Sequence, residues 1–251
     1  MHIPILLYHH VDVPPPAGGW RSLFVSPKHF ERQMRVLHML GYRGLSMRDL
    51  EPYLRGEKTG KVVGITFDDG YLDNLEHALP VLQQFGFTAT CYVVSGLVGS
   101  VNVWDVADGV PPSPLMDMDQ LSSWADGGME VGAHTRNHVN LNQCDDATAR
   151  AEIEGCKRDL EQALGAEIRS FCYPYGEHRA EHVEMARLAG YHTATTIVTA
   201  RARLDDDPLT LPRISVRLGT NLATAVLQTN WERWRSRLRP DVIPQKRPTA
   251  H

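Results

Sequence analysis

Long apolar runs, paired cysteines and an excess of basic charge are all missing from this 251-residue sequence. No stretch approaches the roughly 18 consecutive apolar residues of a transmembrane helix, so no membrane-spanning segment is predicted. The four cysteines form no CxxC pair, and a chain of this length folds without disulfides, which favours reduced thiols. The formal net charge is −4, so no overall positive field indicates nucleic acid as a partner.

The N-terminus also lacks the pattern of a signal peptide. Its apolar run, residues 3–8, is too short for the core of a leader and is followed at once by histidines and prolines. As written, the sequence predicts a cytoplasmic protein, or an extracytoplasmic one if a leader has been removed. It indicates no oligomeric state.

Short apolar, β-branched runs alternate with helical patterns along most of the chain, which favours a parallel sheet built from βα units. The predicted strands are residues 3–8, 62–67, 88–94, 130–133, 168–173, 192–197 and 211–216. The predicted helices are one from Ser26-Pro27 to Gly41, and residues 72–85, 118–125, 145–164 and 177–189. Seven strands with intervening helices suit an α/β barrel, closed or nearly closed, better than an open sheet.

The chain is predicted to form a single barrel domain over residues 1–217. Residues 218–251 are predicted to add a C-terminal helix and a tail in which arginine and lysine outnumber acidic residues. A frayed surface end is the favoured interpretation of this tail, with an acidic partner or an anionic membrane surface as the alternative.

The first chemical motif follows the predicted strand 62–67, where Asp68 and Asp69 are followed by Gly70. Two adjacent carboxylates at the end of a parallel strand repel each other, so the arrangement favours a bound cation. An ordinary Asp-Asp-Gly turn is the alternative.

The second motif also follows a predicted strand and contains His134 and His138. Their i, i+4 spacing brings both imidazoles to one side of a helical turn, as in many metal sites. Two unrelated surface histidines are the alternative. His178 and His182 have the same spacing, but they lie in a charged stretch that opens a predicted helix, where a solvated face explains them.

One aspartate and two histidines make a three-residue ligand set that leaves coordination positions open for water and substrate. This set suits a catalytic Zn²⁺ or a similar divalent ion. Non-haem iron oxygenases use the same ligand types, which gives an alternative from another reaction class. The second carboxylate, Asp68, favours hydrolysis, because a base beside the activated water is what hydrolysis needs.

The pair of motifs, TFDDG at residues 66–70 and HTRNH at residues 134–138, resembles the polysaccharide deacetylases, family four of the carbohydrate esterases. Supporting segments are FCYPYG at residues 171–176, LPRIS at 211–215 and LYHHV at 7–11. The last segment is typical of the branch that includes poly-N-acetylglucosamine deacetylases. The resemblance covers residues 3–217 and implies a distorted (β/α)7 barrel, with the site at the C-terminal ends of its strands.

The resemblance also implies a role for each matching residue. Asp68 is then the general base, and Asp69, His134 and His138 bind one divalent metal ion, with Zn²⁺ favoured over Co²⁺ or Ni²⁺. The backbone N–H of Tyr175 is expected to donate to the oxyanion.

The sequence departs from the family pattern at two places. Many relatives have an arginine at the position of Cys172 that orients the catalytic aspartate, and Arg213 is the candidate replacement. The late Leu-His motif that supplies a proton donor is absent, and in the branch with an N-terminal Tyr-His this role points to His9. Side chains alternate along a strand, so only one of His9 and His10 can face the barrel mouth. The neighbouring carboxylates are expected to keep the pKa of His9 high.

Three aromatic residues are candidates for contact with substrate. Trp104 lies in the long Gly/Pro-rich stretch after the strand 88–94 and is predicted either to stack on a sugar ring or to fix its loop to the barrel. Tyr71 and Tyr173 are expected to pack beside the site or to line its wall.

The predicted function is therefore metal-dependent removal of N-acetyl groups from an amino-sugar glycan, with Asp68 as the base and His9 as the acid. An amidase of the same fold acting on a small soluble amide is one alternative. A non-haem iron oxygenase and a glycan-binding protein without catalysis are alternatives from other classes.

Overall fold

The computed structural model describes residues 2–16, 19–106, 109–222 and 226. The strands are β1 His2–Ile3, β2 Ile5–Tyr8, β3 Arg43–Leu45, β4 Val62–Phe67, β5 Thr90–Val93, β6 Glu130–Ala133, β7 Ser170–Cys172, β8 Thr193–Thr195, β9 Ala202–Arg203 and β10 Ile214–Ser215. The α-helices are α1 Pro27–Met39, α2 Met47–Leu54, α3 Leu79–Gln84, α4 Met118–Asp126, α5 Asp146–Leu164 and α6 Ala180–Leu188.

Seven strands form one curled parallel sheet in the order β10-β2-β4-β5-β6-β7-β8. The sheet curls towards closure because Leu211, just before β10, bridges Thr195 of β8, while β10 itself pairs with β2. Strand β3 pairs with the first half of β4, and β1 and β9 form a separate antiparallel pair. The predicted α/β single-domain barrel with seven parallel strands is confirmed.

The strands at the centre of the sheet are apolar on both faces, as expected for a parallel sheet covered by helices. All six residues of β4 are buried, and the hydrophobic core continues outward to the rings of Phe30 and Trp124. Helix α5 has clear end signals, since the Asp145 side chain accepts a hydrogen bond from the Thr148 N–H and Gly165 ends the helix with φ +63°.

The observed elements differ from the sequence prediction mainly in their ends and in short pieces. Strand β3 and helix α2 were not predicted: the strand has three residues and the helix contains Pro52. The predicted helix 72–85 is regular only over α3 and is preceded by a π-helical turn, Asn74–Ala78. Pro80, near the start of α3, has no N–H to donate to the preceding turn, which accounts for the change of pitch.

Every strand of the curled sheet runs in the same direction, so the carboxyl ends of the strands meet at one end of the barrel. His9 follows β2, Asp68 follows β4 and His134 follows β6, each as the first residue after its strand. The fold therefore brings residues that are 59 or more positions apart in sequence to one opening.

In the part of the chain that the structure describes, no helix is long and apolar enough to cross a membrane. The predicted basic tail, with residues 223–225 and 227–251, lies outside the described residues. The division into a barrel domain, 1–217, and a C-terminal segment, 218–251, therefore stays a prediction.

Candidate active site

A buried ion pair joins Asp68 to Arg213 at the bottom of the opening. Two guanidinium nitrogens of Arg213 donate to the two carboxylate oxygens of Asp68, Nη1 to Oδ1 at 2.6 Å and Nη2 to Oδ2 at 2.8 Å. The guanidinium is fixed in turn, because Nε donates to the Thr196 carbonyl at 2.9 Å and Nη1 donates to the Thr66 hydroxyl at 3.0 Å. Such a two-fold contact fixes both the position and the plane of the carboxylate.

The charge on Asp68 is maintained by this arrangement. Burial alone raises the pKa of a carboxyl group, but the charge and hydrogen bonds of Arg213 more than offset it, and the pKa of Asp68 is lowered overall. Asp68 is therefore ionised near neutral pH, which is the form that a general base needs.

Cys172 lies beside the Asp68–Arg213 pair and is fully buried. Its Sγ lies 3.5 Å from Oδ2 of Asp68 and 3.1 Å from Nη2 of Arg213. At the position where many relatives have an arginine, this small side chain therefore lies next to an arginine that directly precedes β10. The structure places Arg213 where the sequence prediction requires it, and its catalytic role stays a prediction.

Asp69, His134 and His138 converge next to Asp68 and are all buried. Oδ1 of Asp69 lies 3.4 Å from Nε2 of His134 and 3.3 Å from Nε2 of His138. Burial raises the pKa of Asp69, but hydrogen bonds to the two histidines outweigh burial, and the pKa is lowered well below the usual value. One ionised oxygen and two ring nitrogens, all within 4.8 Å of one another, can hold a divalent ion in common.

The other ring nitrogen of each histidine is already engaged. Nδ1 of His134 lies 2.8 Å from the Cys172 carbonyl, to which it can only donate, so in the neutral form of the ring, which is the form that binds a metal ion, the lone pair is on Nε2. Nδ1 of His138 lies 3.2 Å from the Tyr175 hydroxyl. Outer contacts of this kind orient the Nε2 lone pairs of metal-binding histidines. The residues present therefore fit a metal site of the kind that the sequence predicts.

Backbone strain is concentrated at this site. Among the described residues other than glycine, four have a positive φ: Asp69 at 80°, Thr135 at 63°, His138 at 54° and Tyr175 at 59°. Each such conformation costs on the order of 1–3 kcal/mol, and it persists only where the surroundings impose it. Two of the four are predicted metal ligands and one is the predicted oxyanion donor, so the strained backbone marks the same residues as the motifs.

His9 and His10 have different surroundings. His10 is buried between the rings of Phe24 and Tyr71, with centroid distances of 4.0 and 3.7 Å, and its Nδ1 lies 2.6 Å from Oδ2 of Asp73. This is the environment of a structural histidine. His9 is partly exposed at the end of β2, close to the carboxylates of the site.

The pKa of His9 differs from the sequence expectation. Burial lowers the pKa of His9, and although Asp69 and Asp68 both raise it, the net direction is downward. The expectation that the carboxylates keep this pKa above its ordinary value is therefore wrong for the protein alone, because the loss of hydration outweighs the two negative charges.

The three predicted aromatic contacts have unequal access to substrate. Trp104 is partly exposed and stacks on the imidazole of His138, with 4.3 Å between ring centroids, so one face of the indole is covered. Tyr71 is buried and hydrogen-bonds Asp69. Tyr173 is also buried, and its hydroxyl donates to the Leu209 carbonyl at 3.1 Å. Burial of both tyrosines favours packing, one of the two roles that the sequence allowed.

The second histidine pair is separate from this constellation. His182 is fully buried rather than solvated, and its Nδ1 accepts from the Arg179 N–H at the start of α6. The ring of His178 stacks on Tyr173. The expectation of a solvated face is wrong for His182, which caps a helix instead.

Comparison with known proteins adds a family assignment to this geometry. Residues 55–194, more than half of the chain, match the family model described as Polysaccharide deacetylase. One relative is YxkH of Bacillus subtilis (strain 168), 28% identical over 219 residues, which are 86% of this chain and 72% of YxkH. Another is the poly-beta-1,6-N-acetyl-D-glucosamine N-deacetylase of Staphylococcus aureus (strain MRSA252), 22% identical over 78% of this chain and 69% of that protein.

Two solved structures are similar over nearly their whole length. The deacetylase PplD of Streptococcus pyogenes, in complex with acetate, has a TM-score of 0.77 and 26% identity, covering 88% of this chain and 95% of that one. IcaB of Ammonifex degensii has a TM-score of 0.75 and 26% identity, covering 88% of this chain and 93% of that one. These similarities confirm the resemblance that the two motifs indicated.

Proposed function

This chain belongs to the polysaccharide deacetylase family, and from that premise we propose that it hydrolyses the N-acetyl groups of an amino-sugar polysaccharide. The observation that carries the proposal is the juxtaposition of an ionised base, Asp68 held by Arg213, with a three-residue metal site in which Asp69 is the next residue. A base beside metal-activated water is the arrangement that amide hydrolysis needs.

The proposed ligands are Asp69 through Oδ1, and His134 and His138 through Nε2. A divalent ion bound by them would supply Lewis acidity to the acetamide carbonyl and would lower the pKa of a water molecule beside it. We propose Zn²⁺, because one carboxylate oxygen with two imidazole nitrogens is a common ligand set of catalytic zinc. Co²⁺ and Ni²⁺ are the alternatives to be compared in the assay.

In the proposed reaction, Asp68 accepts a proton from the attacking water, and the oxygen of that water bonds to the acetyl carbon. Arg213 keeps Asp68 ionised and aligned until that transfer. The backbone N–H of Tyr175 donates to the oxyanion, and the strained turn at this residue, with φ +59°, sets the direction of the N–H. His9 then gives a proton to the sugar nitrogen as the C–N bond breaks. The products are acetate and a free amine.

The choice of an amino-sugar polymer rests on similarity to relatives and on the partly exposed Trp104 beside the proposed metal site. The Staphylococcus aureus relative is named for poly-β-1,6-N-acetyl-D-glucosamine, and the present chain aligns with 69% of it. The imidazole of His138 is covered on one side by the indole of Trp104, and the Trp104 side chain remains partly exposed. We propose that this exposed surface contacts the C–H face of a sugar ring next to the acetylated one.

The test is an acetate-release assay with the purified protein, supplied with Zn²⁺, Co²⁺ or Ni²⁺ after chelation. The substrates are β-1,6-linked N-acetylglucosamine oligomers, chitin oligomers, peptidoglycan fragments, acetylated xylan and small N-acetyl amides, with Asp68→Asn as the matched inactive control. We expect metal-dependent release from N-acetylglucosamine oligomers that is absent in the control. Release from small amides alone would refute a polysaccharide substrate, and release from xylan alone would indicate an O-deacetylase.

A further inference from the structure

The loop between the two predicted histidine ligands needs support from outside itself. Thr135 and His138 both have a positive φ, 63° and 54°, in a segment of only five residues. Side chains other than glycine avoid this conformation, so the loop does not keep its shape by local preference. Its geometry decides where Nε2 of His138 lies relative to Asp69, and a small displacement would open the 3.3 Å approach between them.

The support comes from helix α5, through a buried carboxylate. Glu152 is 6% exposed, and both of its oxygens accept hydrogen bonds from Asn137, the residue before His138. Oε2 accepts from the backbone N–H of Asn137 at 2.9 Å, and Oε1 accepts from its side-chain Nδ2 at 2.6 Å. The two contacts fix the peptide and the side chain of Asn137 together, and so they fix the backbone that leads into His138.

A second contact on the same helix face holds the preceding residue. Asp159, seven positions after Glu152, accepts from Nε and Nη2 of Arg136 at 2.7 and 2.8 Å. Gly155 lies between them, and a Cβ at that position would come within 2.7 Å of the Arg136 side chain, so the glycine leaves the space that the arginine crosses. This face of α5 therefore accommodates Arg136 and Asn137, the two residues that precede His138.

The two contacts differ in the exposure of the carboxylate that accepts them. The Arg136–Asp159 pair is 42% and 33% exposed in its side chains, so water competes for it. The carboxylate of Glu152 is buried, and it accepts the hydrogen bond of the Asn137 backbone N–H. Asn137 itself is exposed, so removal of Glu152 would leave its backbone N–H and its side-chain Nδ2 to water, without the buried acceptor that fixes their direction.

We propose that Glu152 is a positioning residue for the metal site, which sets the affinity of the site by fixing His138 through Asn137. The inference rests on the proposed metal-dependent function but concerns a residue that touches neither metal nor substrate. Glu152→Leu removes both acceptors. Glu152→Gln can restore both contacts, because its amide oxygen accepts from the backbone N–H and its NH₂ donates to Oδ1 of Asn137 once the Asn137 amide turns over.

The test measures Co²⁺ and Zn²⁺ affinity by competition with a chromophoric chelator, alongside the Co²⁺ absorption spectrum and the melting temperature. We expect Glu152→Leu to weaken metal binding by about 10- to 100-fold, the range for loss of an outer contact to a ligand, and to change the Co²⁺ spectrum. Glu152→Gln should stay within a few-fold of the wild type. The matched control is Glu154→Leu, since Glu154 lies on the same helix and pairs with the partly exposed Arg150.

A lower melting temperature with unchanged metal affinity in Glu152→Leu would overturn the inference, because Glu152 would then be merely structural. Equal weakening in Glu152→Gln would also overturn it, since the hydrogen bonds would not be the cause. If Glu152→Leu fails to fold, Asn137→Ala is used instead, because it removes the hydrogen bond from the Asn137 side chain to Glu152. Unchanged metal affinity in Asn137→Ala would refute the inference.

The variant His138→Ala shows whether Co²⁺ binds at the proposed site formed by Asp69, His134 and His138. If the wild type binds no Co²⁺, or if His138→Ala binds it equally well, the metal-dependent function and the inference are refuted together. Normal binding and acetate release by both the wild type and Glu152→Leu would refute the inference alone.

Discussion

The two ends of the barrel each contain a buried carboxylate, and the two groups are held in opposite ways. At the C-terminal end of the strands, Asp68 faces the guanidinium of Arg213, and its pKa is lowered overall. At the opposite end, Glu130 opens β6 and is 4% exposed, but burial raises its pKa and the hydrogen bonds that it accepts lower it only in part. At one end a guanidinium in direct contact keeps the carboxyl ionised, whereas at the other end the charge of Arg48 and the neutral donors do not offset burial.

The partners of Glu130 are neutral donors from separate elements. Oε2 accepts from the Thr90 hydroxyl at 2.6 Å and from the Arg48 backbone N–H at 2.8 Å, and Oε1 accepts from the Ser170 hydroxyl at 2.7 Å. These contacts join β5, β6, β7 and the first turn of α2. Glu130 therefore connects elements, whereas Asp68 is directed towards the opening.

The backbone shows the same contrast. All four positive-φ residues other than glycine among the described residues lie at the Asp68 end, and none lies at the Glu130 end. Strain at one end and satisfied hydrogen bonds at the other suggest a division between function and stability. The variants below test that division, beginning with the largest expected effect.

Loss of a histidine ligand should have the largest effect and should be confined to function. His134→Ala and His138→Ala are each expected to lose bound metal and to lose turnover, and chelation of the wild type should abolish activity reversibly. Metal content by elemental analysis and acetate release check this. Full metal occupancy in either variant would show that the ligand assignment is wrong.

The two adjacent aspartates should separate by metal content. Asp68→Asn removes a base and should lower kcat by roughly 10²–10⁴ while the metal stays bound. Asp69→Asn removes a ligand oxygen and should weaken metal affinity. Elemental analysis of both variants, with the wild type as reference, is the measurement. Identical metal contents in the two variants would contradict this division of roles.

His9→Ala should keep the metal and lose most amide hydrolysis, because an amine leaves only when it is protonated. The loss should be much smaller on an activated ester, whose leaving group departs without a proton. The measurement is kcat on both substrates. His10→Ala is the matched comparison and should act through stability, since His10 is packed between two rings and bonded to Asp73. Equal losses on amide and ester would indicate a positioning role for His9.

Arg213→Ala should lower kcat and shift the acidic limb of the pH–rate profile to higher pH. The base works only when it is ionised, so activity is lost as pH falls through the pKa of Asp68. Without the guanidinium, burial raises the pKa of this carboxyl and is opposed by the smaller effects of the His134 and His9 charges. A pH–rate profile on the metal-saturated enzyme checks the shift. An unmoved acidic limb would mean that Arg213 serves packing only.

At the other end of the barrel, Glu130→Leu should destabilise the fold and leave the chemistry intact. The substitution removes the acceptor of three hydrogen-bond donors. Each unsatisfied donor is expected to lower the free energy of unfolding by at most about 1–3 kcal/mol. Metal content and the pH–rate profile of the folded variant should match the wild type. Loss of metal in this variant, measured below its melting temperature, would refute the separation of the two ends.

Glu130→Gln sharpens the same comparison through pH. The pKa of Glu130 is raised in the folded protein above its ordinary value of 4.5, so the folded state holds this proton more tightly than the unfolded chain. The stability that follows is fully present below the ordinary pKa and is lost as pH rises through the folded pKa. Denaturant unfolding across this range should show a fall in the wild type that is flatter in Glu130→Gln. Parallel curves would contradict the shift.

The sequence by itself determined the outline of the fold and the enzyme family, and it supplied the residues that are proposed to bind the metal. Strands β4 and β6 begin and end where the sequence predicts: β4 is an apolar run bounded by Lys61 and Asp68, and β6 comes shortly after a glycine pair and is followed directly by His134. The two motifs indicated the polysaccharide deacetylase family, to which the chain belongs. This assignment to a family of hydrolases favours the predicted enzyme class over the oxygenase alternative.

Only the tertiary structure decided how distant residues meet. Nothing within the sequence around Arg213 says that its guanidinium reaches Asp68, 145 positions away, or that Cys172 lies against both. Sequence pattern likewise missed Glu152, because a buried acid on an otherwise amphipathic helix looks like a surface residue until the loop that donates to it is seen. Short-range periodicity fixes which face of an element is apolar, whereas the partners of buried charges depend on which elements the barrel brings together.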